Sequence, residues 1–410
     1  MPVNVVAAPG ALRCWLGLAG FYVASFATLA IYMQFFPGWL RAHGSLSEGE
    51  VSLVLSAQTL ARTVAGPFWA HRVDRRGSGR PVLVVLACAS VGAFALFGAS
   101  PALLAAWTAA LLFGTCYSPM FPIVDAVAMK AAGEQGFSFG RLRMVGSLAF
   151  LLVILAIGPV LDACGVGIVF PILLGAMVVM AASSWGLPRD AVTPAPAVAP
   201  GAPAAAAPWW QLLRSRQFVW LLVAAAAIQG SHATYYNLST VHWVDHGVSK
   251  SVAGVVWAEG VLAEIVLFFV ARATVDRLRP TTLLMLGGAC AMVRWVIVGT
   301  TTSVPVLLAS AWLHAASFGC TYLGSLRALE RRVPPHQRAT AQGLLGAATS
   351  GVGMVVCGVC GGLVYDRFEG LAFLTMAAFA GLGTGLAFWL RRKADSSKPP
   401  AINPASPSPA

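Results

Sequence analysis

Long apolar runs, separated by short polar, basic or Pro- and Gly-marked breaks, recur from one end of the chain to the other. Twelve can be marked: 12–39, 49–70, 81–99, 102–126, 142–161, 166–187, 217–241, 250–271, 281–300, 304–326, 339–364 and 369–390. Each is near the roughly 20 residues a helix needs to cross a bilayer core. None alternates with the period of two that marks a barrel strand, and a lipid-exposed backbone has to satisfy its own hydrogen bonds. The pattern therefore predicts an all-α polytopic membrane protein with twelve spans. The first run starts at Leu12 with no small-residue cleavage site and is longer than a signal-peptide core, which predicts a retained span.

Pro194, Pro196, Pro200 and Pro203 interrupt the stretch after the sixth run, too Pro-rich to pack or to stay helical. The expected organisation is a first six-helix bundle over 1–187, a linker over 188–216, a second six-helix bundle over 217–394 and a disordered tail over 395–410. A short phrase repeats between the second and third runs of each half: Val73-Asp74-Arg75 before Arg80-Pro81, and Val275-Asp276-Arg277 before Arg279-Pro280. Matching phrases at matching positions predict two related halves about an axis along the membrane normal.

Composition agrees: 58% of the 410 residues are hydrophobic and 10% charged, with a mean hydropathy of +0.76. A soluble domain carries about a quarter charged residues, so that class is excluded. The net charge of +12 would point to nucleic acid in a soluble protein, but here its placement matters. With both termini in the cytoplasm, 22 of the 27 Lys and Arg fall inside and only Arg41, Lys250 and Arg367 outside. Basic residues resist translocation, so this split sets the orientation, expected in a bacterial inner (plasma) membrane with no nucleic-acid partner. Cys357 and Cys360 form a CxxC within an apolar run among glycines, where small residues for packing are expected rather than a disulfide or metal site.

Arg62 and Arg294, the other two basic residues, lie within runs. Ionisable groups in hydrocarbon are expensive, so they are the first places to look for function. At about 1.5 Å per residue from the cytoplasmic ends, Glu264 lies at ~12 Å, Arg294 at ~16 Å, and His232, Glu259 and His314 at about 20 Å. That band is near the midplane, where secondary transporters bind solute and coupling ion. Glu264 and Arg294 read equally as a structural ion pair or as a coupling switch. His232 reads as part of the site or as a histidine bonded to a backbone carbonyl. Tyr235 and Tyr236 follow it at i+3 and i+4, a polar, aromatic face suited to an aromatic or sugar-like solute, to which Trp257 would add. In the first half, Arg62 would face a water-filled cavity and attract a carboxylate. Asp125 would pair with Arg141 or Arg143, and Pro119 and Pro122 would bend the fourth helix.

The segment Gln229-Gly-Ser-His232-Ala-Thr-Tyr235-Tyr236-Asn237, with Trp243, Gly247 and Gly254-Val-Val-Trp257-Ala-Glu-Gly260-Val-Leu-Ala-Glu264, resembles the phenylpropionate permease branch of the major facilitator superfamily, related to lactose and nucleoside proton symporters. Asp125, Phe139-Gly-Arg141-Leu-Arg143, Arg294-Trp295 and Leu313-His314 extend the match along the chain. The resemblance implies the major facilitator fold, alternating access and uptake of a small solute with a proton, without a cofactor and as a monomer. It makes His232, Glu264, Arg294 and His314 substrate or proton handlers, and Asp74, Arg75, Arg80, Asp125 and Arg143 a cytoplasmic gate. Ala70, Glu259 and Tyr322 depart from its pattern, standing where Gly, an apolar residue and a second His are typical.

A carboxyl removed from water favours its neutral form, so Glu264 or Glu259 would carry the proton while the gate charges bias one conformation. The expected solute is an aromatic carboxylate such as phenylpropionate. An exporter or facilitator of a sugar, nucleoside or drug-like molecule is the alternative on the same fold. An intramembrane enzyme would want a ligand cluster that the chain lacks, and no G-x-x-x-x-G-K-[ST] phosphate loop marks an ATP-driven pump.

Overall fold

The computed structural model describes residues 9–76, 78–188, 209–274, 277–334 and 337–396. They form consecutive helical rods, followed here as α1 to α12 and packed as two groups of six in the major facilitator fold. The first group is α1 (Pro9–Gly44), α2 (Glu48–Arg76), α3 (Arg80–Ala95), α4 (Leu103–Tyr117, continued by Met120–Gln135), α5 (Phe139–Cys164) and α6 (Val169–Ser184). The second is α7 (Arg216–Gly230, continued by Ala233–Asp245), α8 (Lys250–Thr274), α9 (Pro280–Thr300), α10 (Val304–Ala311 and Thr321–Arg332), α11 (Arg338–Gly346 and Met354–Phe368) and α12 (Ala372–Ser396).

Among the described residues nine helical stretches are long and apolar enough to cross a membrane, and the last of them contains both α11 and α12. The two rods outside that set explain themselves. α2 is interrupted by Ser52, Ser56, Gln58, Thr59, Arg62 and Thr63, and α7 breaks at Ser231 and His232. Large side chains such as Phe269, Val64 and Leu104 stay exposed on the outside of the bundle, as lipid contact requires.

Several ends lie beyond the apolar runs. α2 continues through Val73 to Arg76, so the Asp74-Arg75 phrase is the last turn of a helix rather than a loop; no Gly or Pro stands between Pro67 and Arg76 to stop it. α4 runs to Gln135, nine residues past the predicted end, through good helix formers and the Lys130–Glu134 pair at 3.6 Å. Gly136, at φ 74°, then stops it in the left-handed conformation that glycine alone adopts freely. Of the expected linker, Trp209–Arg214 form a short turn whose Leu212 packs against the core of the second group, and 189–208 lie outside the described residues. So do Val275, Asp276 and, beyond Ser396, the expected tail.

α10 and α11 each contain one wide π turn, Ala315–Cys320 and Ala347–Gly353. Such turns leave carbonyls without their usual intrahelical donor and often mark functional positions. The halves touch along α2 with α11, α5 with α8, and α1 with α7. At the α5–α8 crossing a Cβ on Gly158 would fall 2.7 Å from Ser251 Cα, so only glycine admits this approach.

Polar contacts between the halves gather at one face, called here the far face, opposite the one where α1 begins and α12 ends. Arg41 pairs with Asp245, and with Glu48 of its own half at 2.9 Å. Asp162 accepts from the backbone N–H groups of Lys250 (2.8 Å) and Ser251 (3.0 Å) and from the Ser251 hydroxyl. Asp366 accepts from Gly49 N–H at 2.8 Å and Ser47 Oγ at 2.9 Å. Deeper in, Arg62 Nη2 donates to the Ser350 carbonyl of the α11 π turn at 2.7 Å.

Candidate functional site

Between the halves lie two adjoining cavities of about 160 and 150 Å³, the two lobes of the site, which share Met33 of α1 and Tyr236 of α7 as wall residues. The first lobe is polar where Gln58, Thr59 and Arg62 of α2 face Asn237 of α7. The second is walled by Tyr235, Tyr236, Trp257, Glu264, Arg294 and His314, with Phe150 of α5 opposite.

Three of the predicted residues converge there in a line. Arg294 of α9 is 1% exposed, and its Nη1 lies 2.9 Å from His314 Nδ1 of α10. An arginine only donates, so Nδ1 is the acceptor and the neutral imidazole carries its hydrogen on Nε2. That nitrogen is 3.7 Å from Glu264 Oε2 of α8, an ion-pair distance that a water or a small rotation would turn into a hydrogen bond. The direct Glu264–Arg294 pair expected from their depths is thus replaced by a relay through His314.

The arginine is held from its other side by rings. Its guanidinium sits 4.2 Å from the Tyr235 centroid and 5.0 Å from that of Trp295. Tyr235 in turn stacks on Trp257 at 5.2 Å and 23°. Cation–π contact of this kind, away from water, helps hold a buried cation in place. Trp257, 5% exposed, is therefore a buried wall residue.

His232 is not on that wall. The break in α7 turns its ring into the second group, where Nδ1 lies 3.2 Å from the carbonyls of Ile228 and Gln229 and Nε2 3.1 Å from Ser317 Oγ. It is fully buried, edge-on to Trp295 at 4.9 Å. The backbone-bonded reading is the observed one, and only the two tyrosines of the predicted face reach the cavity. Glu259 is also separated from it. At about 100° per residue it lies some 200° around α8 from Trp257, it is not a lining residue, and its buried Oε2 has no hydrogen-bond partner.

Of the expected gate charges, Asp125, Arg143 and Arg80 make contacts inside the first half. Asp125 accepts from Tyr22 OH at 2.6 Å and lies 3.4 Å from Arg143 Nε, whose guanidinium covers Phe26 at 4.3 Å. This ties α1, α4 and α5 together and does not cross to the second half. Arg80 donates to the Trp185 carbonyl at 2.6 Å, after α6, and Arg75 is exposed. The Asp74 side chain lies outside the described residues. Sequence reasoning missed Met33, Phe150 and Ser317, which carry no charge to betray them, and Asn237, which was only quoted in a motif. It also missed Asp162 and Asp366, although Arg41 and Lys250, two of the three basic residues assigned outside, stand beside that far-face seal.

Comparison with known proteins supplies a frame for this geometry. Residues 15–375 match the model of the MFS_1 like family. The chain is 27% identical to the "Probable 3-phenylpropionic acid transporter" of Escherichia coli (strain K12), over 89% of this chain and 94% of that one. It is 25% identical to the "Maltose permease" of Geobacillus stearothermophilus over 85% and 87%. Among solved structures it superposes on the nucleoside transporter NupG with a TM-score of 0.79 at 16% identity, over 92% of this chain and 98% of that one.

Proposed function

The chain belongs to the MFS_1 like family of the major facilitator transporters, and from that premise we propose that it is a proton-coupled symporter taking up a small organic solute across the bacterial inner membrane. Both termini are cytoplasmic in this reading, so the far face is external. In this reading the pinned far face is the side closed to the exterior.

The observation that carries the proposal is the line Arg294, His314, Glu264 along a cavity wall. Glu264 is the only carboxylate among the described lining residues, and with Glu259 turned away it is the group that takes the proton from outside and releases it inside. His314 Nε2–H faces the Glu264 carboxyl across 3.7 Å, and a neutral acid attracts that N–H less than a carboxylate does, so loading the proton weakens this approach and changes what Arg294 and the cavity face. Alternating access then needs no other chemistry than exchange of contacts between two arrangements of the halves.

The solute class follows from the wall. Tyr235, Tyr236, Trp257 and Phe150 supply flat apolar surface, and Arg294 and Arg62 supply cations within the two lobes. An aromatic carboxylate such as phenylpropionate satisfies both, and a relative carries that solute in its name. The test is uptake of radiolabelled phenylpropionate into proteoliposomes with and without an inward proton gradient. Accumulation only with the gradient is expected; none by folded protein would remove the aromatic-acid reading.

A further inference from the structure

Trp220 of α7 and Trp389 of α12 are each more than a third exposed on the outside of the second group, and their rings meet edge to face with centroids 6.1 Å apart. α7 begins at Arg216 and α12 runs out past Lys393, so both rings lie about one turn inside the face where α1 begins. Arg216 stands four residues before Trp220 and Lys393 four after Trp389, which puts a cation one turn outward of each ring on the same side of its helix. Both cations are exposed, and Lys393 Nζ lies 4.8 Å from the Trp389 ring centroid. Among the described residues neither makes an ion pair, and no Asp or Glu occurs in 209–244 or 370–394.

Deeper in, the two helices close up. A Cβ on Gly383 of α12 would fall 2.7 Å from the Ala224 carbonyl oxygen of α7, so their crossing forms the floor of an outward-facing groove. Exposed Val223 and Leu382 continue its walls: at about 100° per residue Val223 lies some 60° around α7 from Trp220, and Leu382 some 20° around α12 from Trp389. Depth therefore sorts the groove into apolar walls in the hydrocarbon, tryptophans at the level where the hydrocarbon ends, and two cations at the level of the headgroups. A water-soluble anion makes no use of the apolar walls. A zwitterionic headgroup brings a cation of its own to the two already present, whereas an anionic one complements them.

We propose that this groove is a binding site for one anionic phospholipid, with its phosphate shared by Arg216 and Lys393 and an acyl chain along Val223 and Leu382. The site follows from the membrane-spanning fold alone and does not depend on how the central cavity couples solute to proton.

The test is a lipid titration read by native mass spectrometry on the purified full chain in detergent, with phosphatidylglycerol and phosphatidylcholine of identical acyl chains as probes. The first phosphatidylglycerol is expected to bind about tenfold or more tightly than the first phosphatidylcholine, and Arg216→Gln with Lys393→Gln to weaken it by about tenfold or more. Arg13→Gln with Arg72→Gln removes the same charge from exposed positions of the first group and should leave that affinity unchanged. The swap Arg216→Lys with Lys393→Arg should retain it, and excess glycerol phosphate should not displace the lipid. Equal binding of the two lipids, equal weakening by the two Gln pairs, or displacement by glycerol phosphate overturns the assignment.

Discussion

Asp162 and Asp366 hold the same place in the two halves. Each lies near the end of the fifth rod of its own half, and each accepts from a backbone N–H at the start of the second rod of the other: Asp162 from α8, Asp366 from α2. The start of a helix presents unpaired N–H groups and partial positive charge, which a carboxylate satisfies. Two such contacts, related by the repeat, pin the far face without needing a complementary charged side chain at every point.

Removing both charges should therefore loosen that face. A carboxylate at a helix start contributes roughly 0.5–2 kcal/mol, so Asp162→Asn with Asp366→Asn should shift the closed-to-open ratio by about tenfold or more. Spin labels at the exposed Ala42 and Arg367, on opposite halves, would read it. A distance distribution identical to that of the parent would exclude the pinning role.

Steric separation should produce the same change from another direction. Gly158→Val puts its Cβ into the Ser251 backbone and should part α5 from α8. Gln34, buried in a far-face cleft with Arg41 and Asp245, then becomes reachable. Thiol labelling at Gln34→Cys should accelerate when Gly158→Val is added; an unchanged rate would count against the crossing as a closure point.

Within the relay, neutralising the carboxylate separates energy coupling from solute movement. Glu264→Gln should abolish uphill uptake yet retain exchange of preloaded solute, since the wall keeps its shape. Continued uphill accumulation in counterflow-free proteoliposomes would assign the proton elsewhere.

His314→Leu tests the other side of the relay. It leaves the Arg294 charge buried without its hydrogen-bond acceptor, which should destabilise the fold by about 3 kcal/mol. His314→Leu combined with Arg294→Leu should recover much of that loss, because no buried charge is stranded. Thermal unfolding in detergent would show the ordering; a double variant weaker than the sum of the two single losses would contradict it.

Tyr22→Phe should lower stability by about 1.5–3 kcal/mol, the worth of a hydrogen bond to a charged group, because Tyr22 is buried and Asp125 accepts its hydroxyl hydrogen. The loss should appear in unfolding without moving the far-face distance, since the contact lies inside one half.

Hydrophobic runs by themselves determined that this is an all-helical, multi-span membrane protein, because burial in hydrocarbon is a property of local composition. They located the rods but not all their ends, since α2 and α4 continue as helices after leaving the apolar zone. Counting along each rod also brought Glu264, Arg294 and His314 to one level, because helix rise is fixed. What only the tertiary structure decided is azimuth and partner: how each rod is turned, and what stands opposite. That turned Glu259 away from the cavity, put His314 between Arg294 and Glu264, and buried His232 on Ser317. It also joined Lys250 to an aspartate 88 residues away and Gly49 to one 317 residues away. Such contacts depend on the packing of all the rods at once, which no local pattern of side chains encodes.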